Sequence, residues 1–192
     1  MASIVEICNS GLSMLGASTI TSLTEDSKNA RLCNQRFEPV RDAVFRNHSW
    51  NCLMKRASIA EDSTAPTWGW TKAYTLPSDC LRVMKLESDD PVLSSEIEHK
   101  LEGRKIVTNE GSPLKILYIA RITDPNEYDV LLQEVLATRL AAELAYAITA
   151  STSLSQIMMA AYQDKLREAR HADATEGYFD QIEANTFINS RY

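Results

Sequence analysis

The sequence predicts an α+β fold in which N- and C-terminal helices form a bundle around a β-rich antiparallel insertion. Three observations carry this reading. Apolar residues recur at helical spacing near both ends of the chain, at Ile4, Ile7, Cys8, Gly11, Leu12 and Leu15 and again at Leu132, Leu136, Leu140, Leu144 and Ile148. In the middle the period falls to two, where Ile97, His99 and Leu101 alternate with Glu96, Glu98 and Lys100. Gly103 and the run from Asn109 to Ser112 supply turn chemistry between strands. The expected boundaries are a bundle built from 1–49 and 123–174, an insertion over 50–122 and a C-terminal arm over 175–192.

The first helix is expected to end at Gly16, and Asp26 or Ser27 to cap the second. Cys33, Phe37, Val40 and Val44 form the second helix's apolar stripe, opposite Arg31, Gln35, Glu38 and Asp42. Pro39 lies inside that pattern, where it removes one backbone hydrogen bond and crowds the Gln35 carbonyl at a cost of ~3 kcal/mol. The stripe continues on both sides of it, which predicts one kinked helix rather than two. From Trp50 the alternation of Trp50, Cys52 and Met54 predicts a strand, and WGWTKAYTL predicts another. A turn at Pro77 leads into a third, and the stretch 96–122, ending in LKILYIARI, reads as an antiparallel meander.

Asp124, Pro125 and Glu127 have the order of a cap, a first-turn proline and an acid three residues on, and so predict the start of the long third helix. Beside its leucines, Ala137, Ala141 and Ala145 form a small-residue strip suited to close helix contact and marked as a candidate interface. A short Ser/Thr linker implies an antiparallel fourth helix, with Leu154, Ile157, Met158, Ala161 and Leu166 inward.

Composition narrows the function. A chain of 192 residues, 44% hydrophobic and 24% charged, supports one domain with a sizeable core. Its net charge of -6 and lack of a Lys/Arg cluster argue against gripping phosphate backbones. Cys8, Cys33, Cys52 and Cys80 form no C-x-x-C pair and read as buried free thiols in a reducing cytoplasm. The apolar N-terminus lacks a basic flank and is interrupted by Glu6, Asn9 and Ser10, so no export signal is expected. The window Val135 to Ile148 contains Arg139 and Glu143 and is too short to span a bilayer, which predicts a soluble protein with no membrane partner.

In RDAVFRNHSWNCLMKRASIAED, two side chains capable of nucleophilic attack, Ser49 and Cys52, flank His48. A working nucleophile needs a base at hydrogen-bond distance and a group that orients the base. His48 falls at a helix end, where an imidazole can cap the last carbonyls. Ser49 lacks a G-x-S-x-G elbow, and GLSMLG has the wrong spacing inside a helix. The cluster therefore reads as a helix-to-strand junction. His99 reads as a satisfied inward-facing residue without a second ligand at metal spacing, and His171 as a residue favoured by a helix dipole. The neighbouring acids Asp89 and Asp90, and Glu61 and Asp62, read as solvated loop carboxylates. With six glycines the chain has no phosphate-binding loop, and no catalytic, metal or cofactor residue is expected.

The tail GYFDQIEANTFINSRY carries Tyr178, Phe179, Ile182, Phe187, Ile188 and Tyr192 without a sustained period. Two readings stand: packing on the subunit's own bundle, or an arm whose aromatic residues anchor in an adjacent subunit or a partner.

Several phrases together resemble the tail tubular protein A family, the head-to-tail adaptors of short-tailed bacteriophages and related prophages. They are ICNSGLSMLGASTITSLTEDSKNARLCNQRF, RDAVFRNHSWN, AYTLPSDCLRV and HADATEG, in that order across nearly the whole chain. Ser49 departs from the proline expected before the Trp-Asn pair, and residues 92–114 carry little of the resemblance. The resemblance implies a structural virion protein made in the host cytoplasm and no enzyme. It implies a dodecameric ring of identical subunits under the portal, extending the DNA channel and offering a platform to the tail nozzle protein. DNA would pass without specific binding, and an acidic chain suits that passage. The alternatives are a head-completion protein of a longer-tailed phage and a virion-associated polysaccharide or cell-wall hydrolase.

Overall fold

The computed structural model describes residues 2–87 and 97–176, and the aromatic tail and the Asp89/Asp90 pair lie outside the described residues. Helix α1, Ile4–Met14, opens with a capping box in which the Ser3 hydroxyl accepts from the Glu6 N–H and the Glu6 carboxylate accepts from the Ser3 N–H. It buries Ile7, Cys8, Gly11 and Leu12, and Gly16 beyond it takes the left-handed conformation at φ +66. Helix α2, Lys28–Asn47, is capped by Ser27 and runs unbroken through Pro39. Helix α3, Val130–Thr149, and helix α4, Thr152–Thr175, are joined by a tight turn with Ala150 at φ +53. α1, α2 and α4 all pack on α3. That central position explains why α3 buries residues on most of its circumference, from Leu132 through Thr138 to Ala145.

The strands are β1 (Met54–Ile59), β2 (Lys72–Thr75), β3 (Cys80–Glu87), β4 (His99–Glu102), β5 (Lys105–Thr108) and β6 (Leu114–Ala120). They form two antiparallel three-stranded sheets, ordered β1-β6-β3 and β2-β5-β4. In the first, Met54 pairs with Ile119 and Ile59 with Leu114, while Val83 pairs with Tyr118 on the other side of β6. In the second, Gly103 at φ +61 turns β4 into β5. One continuous apolar core joins helices and sheets, with Trp50, Leu53, Tyr74, Ile106 and Ile119 in the same cluster as Leu132 and Leu136.

The fold class is as the sequence predicts, and five local expectations need correction. The strand expected from Trp50 begins at Met54, because Asn51–Leu53 close a 3-10 turn in which the Leu53 N–H donates to the Trp50 carbonyl, burying Leu53. The strand expected over WGWTKAYTL is confined to Lys72–Thr75; Gly69 at φ +84 interrupts it and Trp68 is 85% exposed. The stretch 97–122 is not one meander. β4 and β5 pair with each other, but β6 leaves to become the centre of the other sheet, where its nearly continuous apolar run is covered from both sides. Asp124 caps only a 3-10 turn, Pro125–Glu127, and α3 starts under Asp129, whose carboxylate accepts from the Leu131 and Leu132 N–H groups. On α4, Leu154, Met158 and Leu166 face the core as expected and Tyr162, Ala169 and Asp173 extend that stripe, but Ile157, expected inward, is 59% exposed.

Candidate functional site

The end of α2 carries four carbonyls without helical partners. The Trp50 indole N–H donates to the Val44 carbonyl at 3.1 Å, and Arg170 Nη2 donates to the Asn47 carbonyl at 2.9 Å. Two of the carbonyls that His48 was expected to cap are thus served by Trp50 and Arg170 instead. His48 is directed to α4 instead, with Nε2 3.0 Å from Asp173 Oδ2 and its ring edge-on to Trp50 at 4.7 Å between centroids. The Asn51 N–H donates to Asp173 Oδ1 at 2.9 Å, and Asn51 Nδ2 donates to the Asp173 carbonyl at 2.7 Å. Asp173 is 9% exposed, so its carboxylate has exchanged water for two protein partners. The junction is tied further by Arg46, which donates from Nη1 to the Leu81 carbonyl at the start of β3.

His48 and Asp173 supply a base and the group that orients it, two of the three parts of a nucleophilic site. The third part is not assembled. The Ser49 hydroxyl donates to Met84 Sδ at 3.7 Å, away from the imidazole. Burial pushes the Cys52 thiol above its ordinary range, with the Asp173 and Asp129 charges adding to the rise, so the thiolate a nucleophile requires is disfavoured. The geometry is that of a polar latch between the α2–β1 junction and the last turns of α4.

The remaining candidates separate. His99 is exposed on β4 rather than inward, with Nδ1 2.8 Å from the Ile97 carbonyl; all four residues of β4, an edge strand of its sheet, are exposed. His171 is exposed within α4. Asp62 holds Lys105 at 2.7 Å and two bonds from Thr75, which lower its pKa, while Glu61 holds Lys72 at 3.4 Å. The two acids thus serve as separate ion-pair partners. All four cysteines are free; Cys8 and Cys33 meet in the core, where the bond to Cys33 and burial hold the Cys8 thiol well above its usual range. Among the described residues no group of three or more His, Cys, Asp or Glu is placed to hold a metal ion, and no helix is long and apolar enough to cross a membrane.

Ala137, Ala141 and Ala145 are at most 1% exposed and lie inside the chain's own bundle. A Cβ at Gly11 would sit 2.8 Å from the Ala137 carbonyl oxygen, which places α1 against this strip at backbone distance. As candidate contacts between subunits they are therefore corrected: the partner helix is α1 of the same chain.

Asp173 escaped the sequence reading although a signal existed. It falls on the stripe Tyr162, Leu166, Ala169, Asp173, and a carboxylate on the buried face of a helix requires a partner. No family model matches the chain, and no curated protein matches it.

Proposed function

We propose that the chain is the subunit of a head-to-tail adaptor ring of the tail tubular protein A type. In this reading it assembles with copies of itself beneath a portal, receives a tail nozzle protein and surrounds a channel that DNA traverses without specific contact. One observation carries the proposal: phrases of the resemblance that are remote in sequence converge on one framework. Asp173 of HADATEG meets His48 and Asn51 of RDAVFRNHSWN, and Arg46 of that same phrase meets Leu81 of AYTLPSDCLRV. A framework fixed by distant segments leaves other surfaces for assembly. Trp68, Val130, Tyr146 and Ile157 are each more than half exposed, and large exposed apolar side chains are the material of subunit contacts.

The test is sedimentation velocity and negative-stain microscopy of the full chain, alone and mixed with a short-tailed phage portal. Closed rings seated on the portal are expected. Subunits that stay dispersed in its presence overturn the reading, and rings that join only a longer-tailed connector reassign the chain to head completion. Truncation after Glu176 separates the two readings of the tail. An arm predicts a folded subunit with near-unchanged melting temperature that no longer docks, whereas packing on the bundle predicts a lower melting temperature.

A further inference from the structure

Three arginines remote in sequence are gathered at the turn that leads into β3. Arg46, in the last turn of α2, donates from Nη1 to the Leu81 carbonyl. Arg104, in the turn between β4 and β5, donates from Nη2 to the Pro77 carbonyl at 2.6 Å and to the Ser78 carbonyl at 3.3 Å. Arg82 follows Leu81 directly and, among the described residues, its side chain makes no hydrogen bond or ion pair. Burial pushes the Cys80 thiol up, and the Arg104 and Arg46 charges pull it back, so both guanidiniums lie near the same buried sulfur. All three arginines are exposed. A guanidinium has five donor N–H groups, and carbonyl partners leave most of them, with the whole charge, to the solvent side. The nearby carboxylates are engaged by other groups. Asp42 is shared between Arg41 at 2.9 Å and Arg121 at 2.8 Å, and Asp79 takes Lys55 at 3.7 Å and the Tyr118 hydroxyl at 3.2 Å. Glu102 lies on the same hairpin as Arg104 but makes no ion pair with it, so the arginines keep an excess of positive charge in a chain of net charge -6.

We propose that this turn is a contact point for the phosphate backbone of DNA, with Arg46, Arg82 and Arg104 each taking one phosphate. The arrangement selects a polyanion. Carbonyl contacts hold Arg104 and Arg46 at opposite ends of the stretch 77–81, and Arg82 stands just beyond. Charges spread along a turn fit a backbone that repeats its own charge every few ångströms, whereas a single carboxylate would reach only one of them. Contacts to phosphate carry no sequence information, so they are compatible with DNA that moves past the subunit. The inference goes beyond the ring reading and stands on the turn alone, since it needs one subunit and no ring.

The full chain, wild type and variants, is titrated into two short labelled DNA duplexes of unrelated sequence across a salt series, with fluorescence anisotropy as the readout. Equal affinity for both duplexes is expected. The logarithm of the binding constant should fall against that of the salt concentration with a slope of about −3, as three phosphate contacts require. Arg46→Gln, Arg82→Gln and Arg104→Gln should each weaken binding to both duplexes alike and reduce that slope by about one. Arg31→Gln removes an exposed arginine about 22 Å away along α2 and should leave the slope unchanged. Arg82 has no side-chain partner to lose, so Arg82→Gln decides the matter if the other two variants fail to fold. Absence of binding at low salt, a slope that Arg82→Gln leaves unaltered, or an equal loss in Arg31→Gln overturns the proposal. Preference for poly-glutamate over DNA also overturns it and assigns the turn to an acidic protein surface. Because the assay uses neither portal nor ring, a subunit that binds DNA in this way without assembling supports the contact and sinks only the ring reading.

Discussion

Among the contacts that hold the N-terminal helices of this chain to its C-terminal ones, two work by opposite means. Where α1 meets α3, the contact is defined by what is missing: Gly11 lets its helix approach until a Cβ would stand 2.8 Å from the Ala137 carbonyl oxygen. Where the end of α2 meets α4, the contact is defined by what is present, a carboxylate shared between His48 and the Asn51 N–H. The first tolerates no added volume, because the atom in the way is backbone and cannot rotate aside. The second tolerates volume but not the loss of an acceptor. A close-packed contact is thus exacting about size, and a polar one about chemistry.

The comparison breaks most readily at the apolar support of the polar contact. Trp50, 1% exposed, backs the His48 ring and satisfies the Val44 carbonyl. Trp50→Ala should cost ~3–5 kcal/mol in urea unfolding; a near-neutral result would show that the indole does not support the junction. Next, Asp173→Ala should cost about 2–3 kcal/mol by stranding the Asn51 N–H and the imidazole. A double-mutant cycle with His48→Ala sharpens this, with a coupling of about 1 kcal/mol expected for side chains in direct contact. Zero coupling would reduce the 3.0 Å approach to mere proximity.

On the other side, Gly11→Ala gains helix propensity yet overpacks the Ala137 contact, for a net destabilisation of about 1 kcal/mol. A stabilised Gly11→Ala protein would mean that α1 yields easily, and the contrast drawn between the two contacts would fail. The smallest effect belongs to the loop joining α1 to α2. There the Thr21 N–H and hydroxyl, with Ser27, hold Glu25 down to about 2 from its ordinary 4.5. A depressed carboxylate stabilises the fold fully above pH 4.5 and loses that contribution as pH falls towards about 2. The melting-temperature gap between wild type and Glu25→Gln should therefore close across that window; a gap unchanged by pH would remove Glu25 from the account.

What was legible in the residues and what was not divides along the range of the interactions. The four helices, a cap for α2 at Asp26 or Ser27, the passage of α2 through Pro39 and the Gly103 turn were all readable. Helical period and capping are set by residues within a turn of one another, and the sequence displays those neighbours side by side. The strand partners were not readable. LKILYIARI announces a strand, but nothing local says that β6 leaves the β4–β5 hairpin to stand between β1 and β3. A 3-10 turn at Asn51–Leu53 and a strand from Trp50 share much of one short pattern, and the Asp173 carboxylate holding the Asn51 N–H lies far along the chain. The latch belongs to the same class. By itself the sequence determined the elements and their apolar faces, because local spacing fixes both. The pairing of β6, the partner of His48 and the approach of α1 to Ala137 were decided only in three dimensions, where residues remote in the chain compete for the same carbonyls, carboxylates and space.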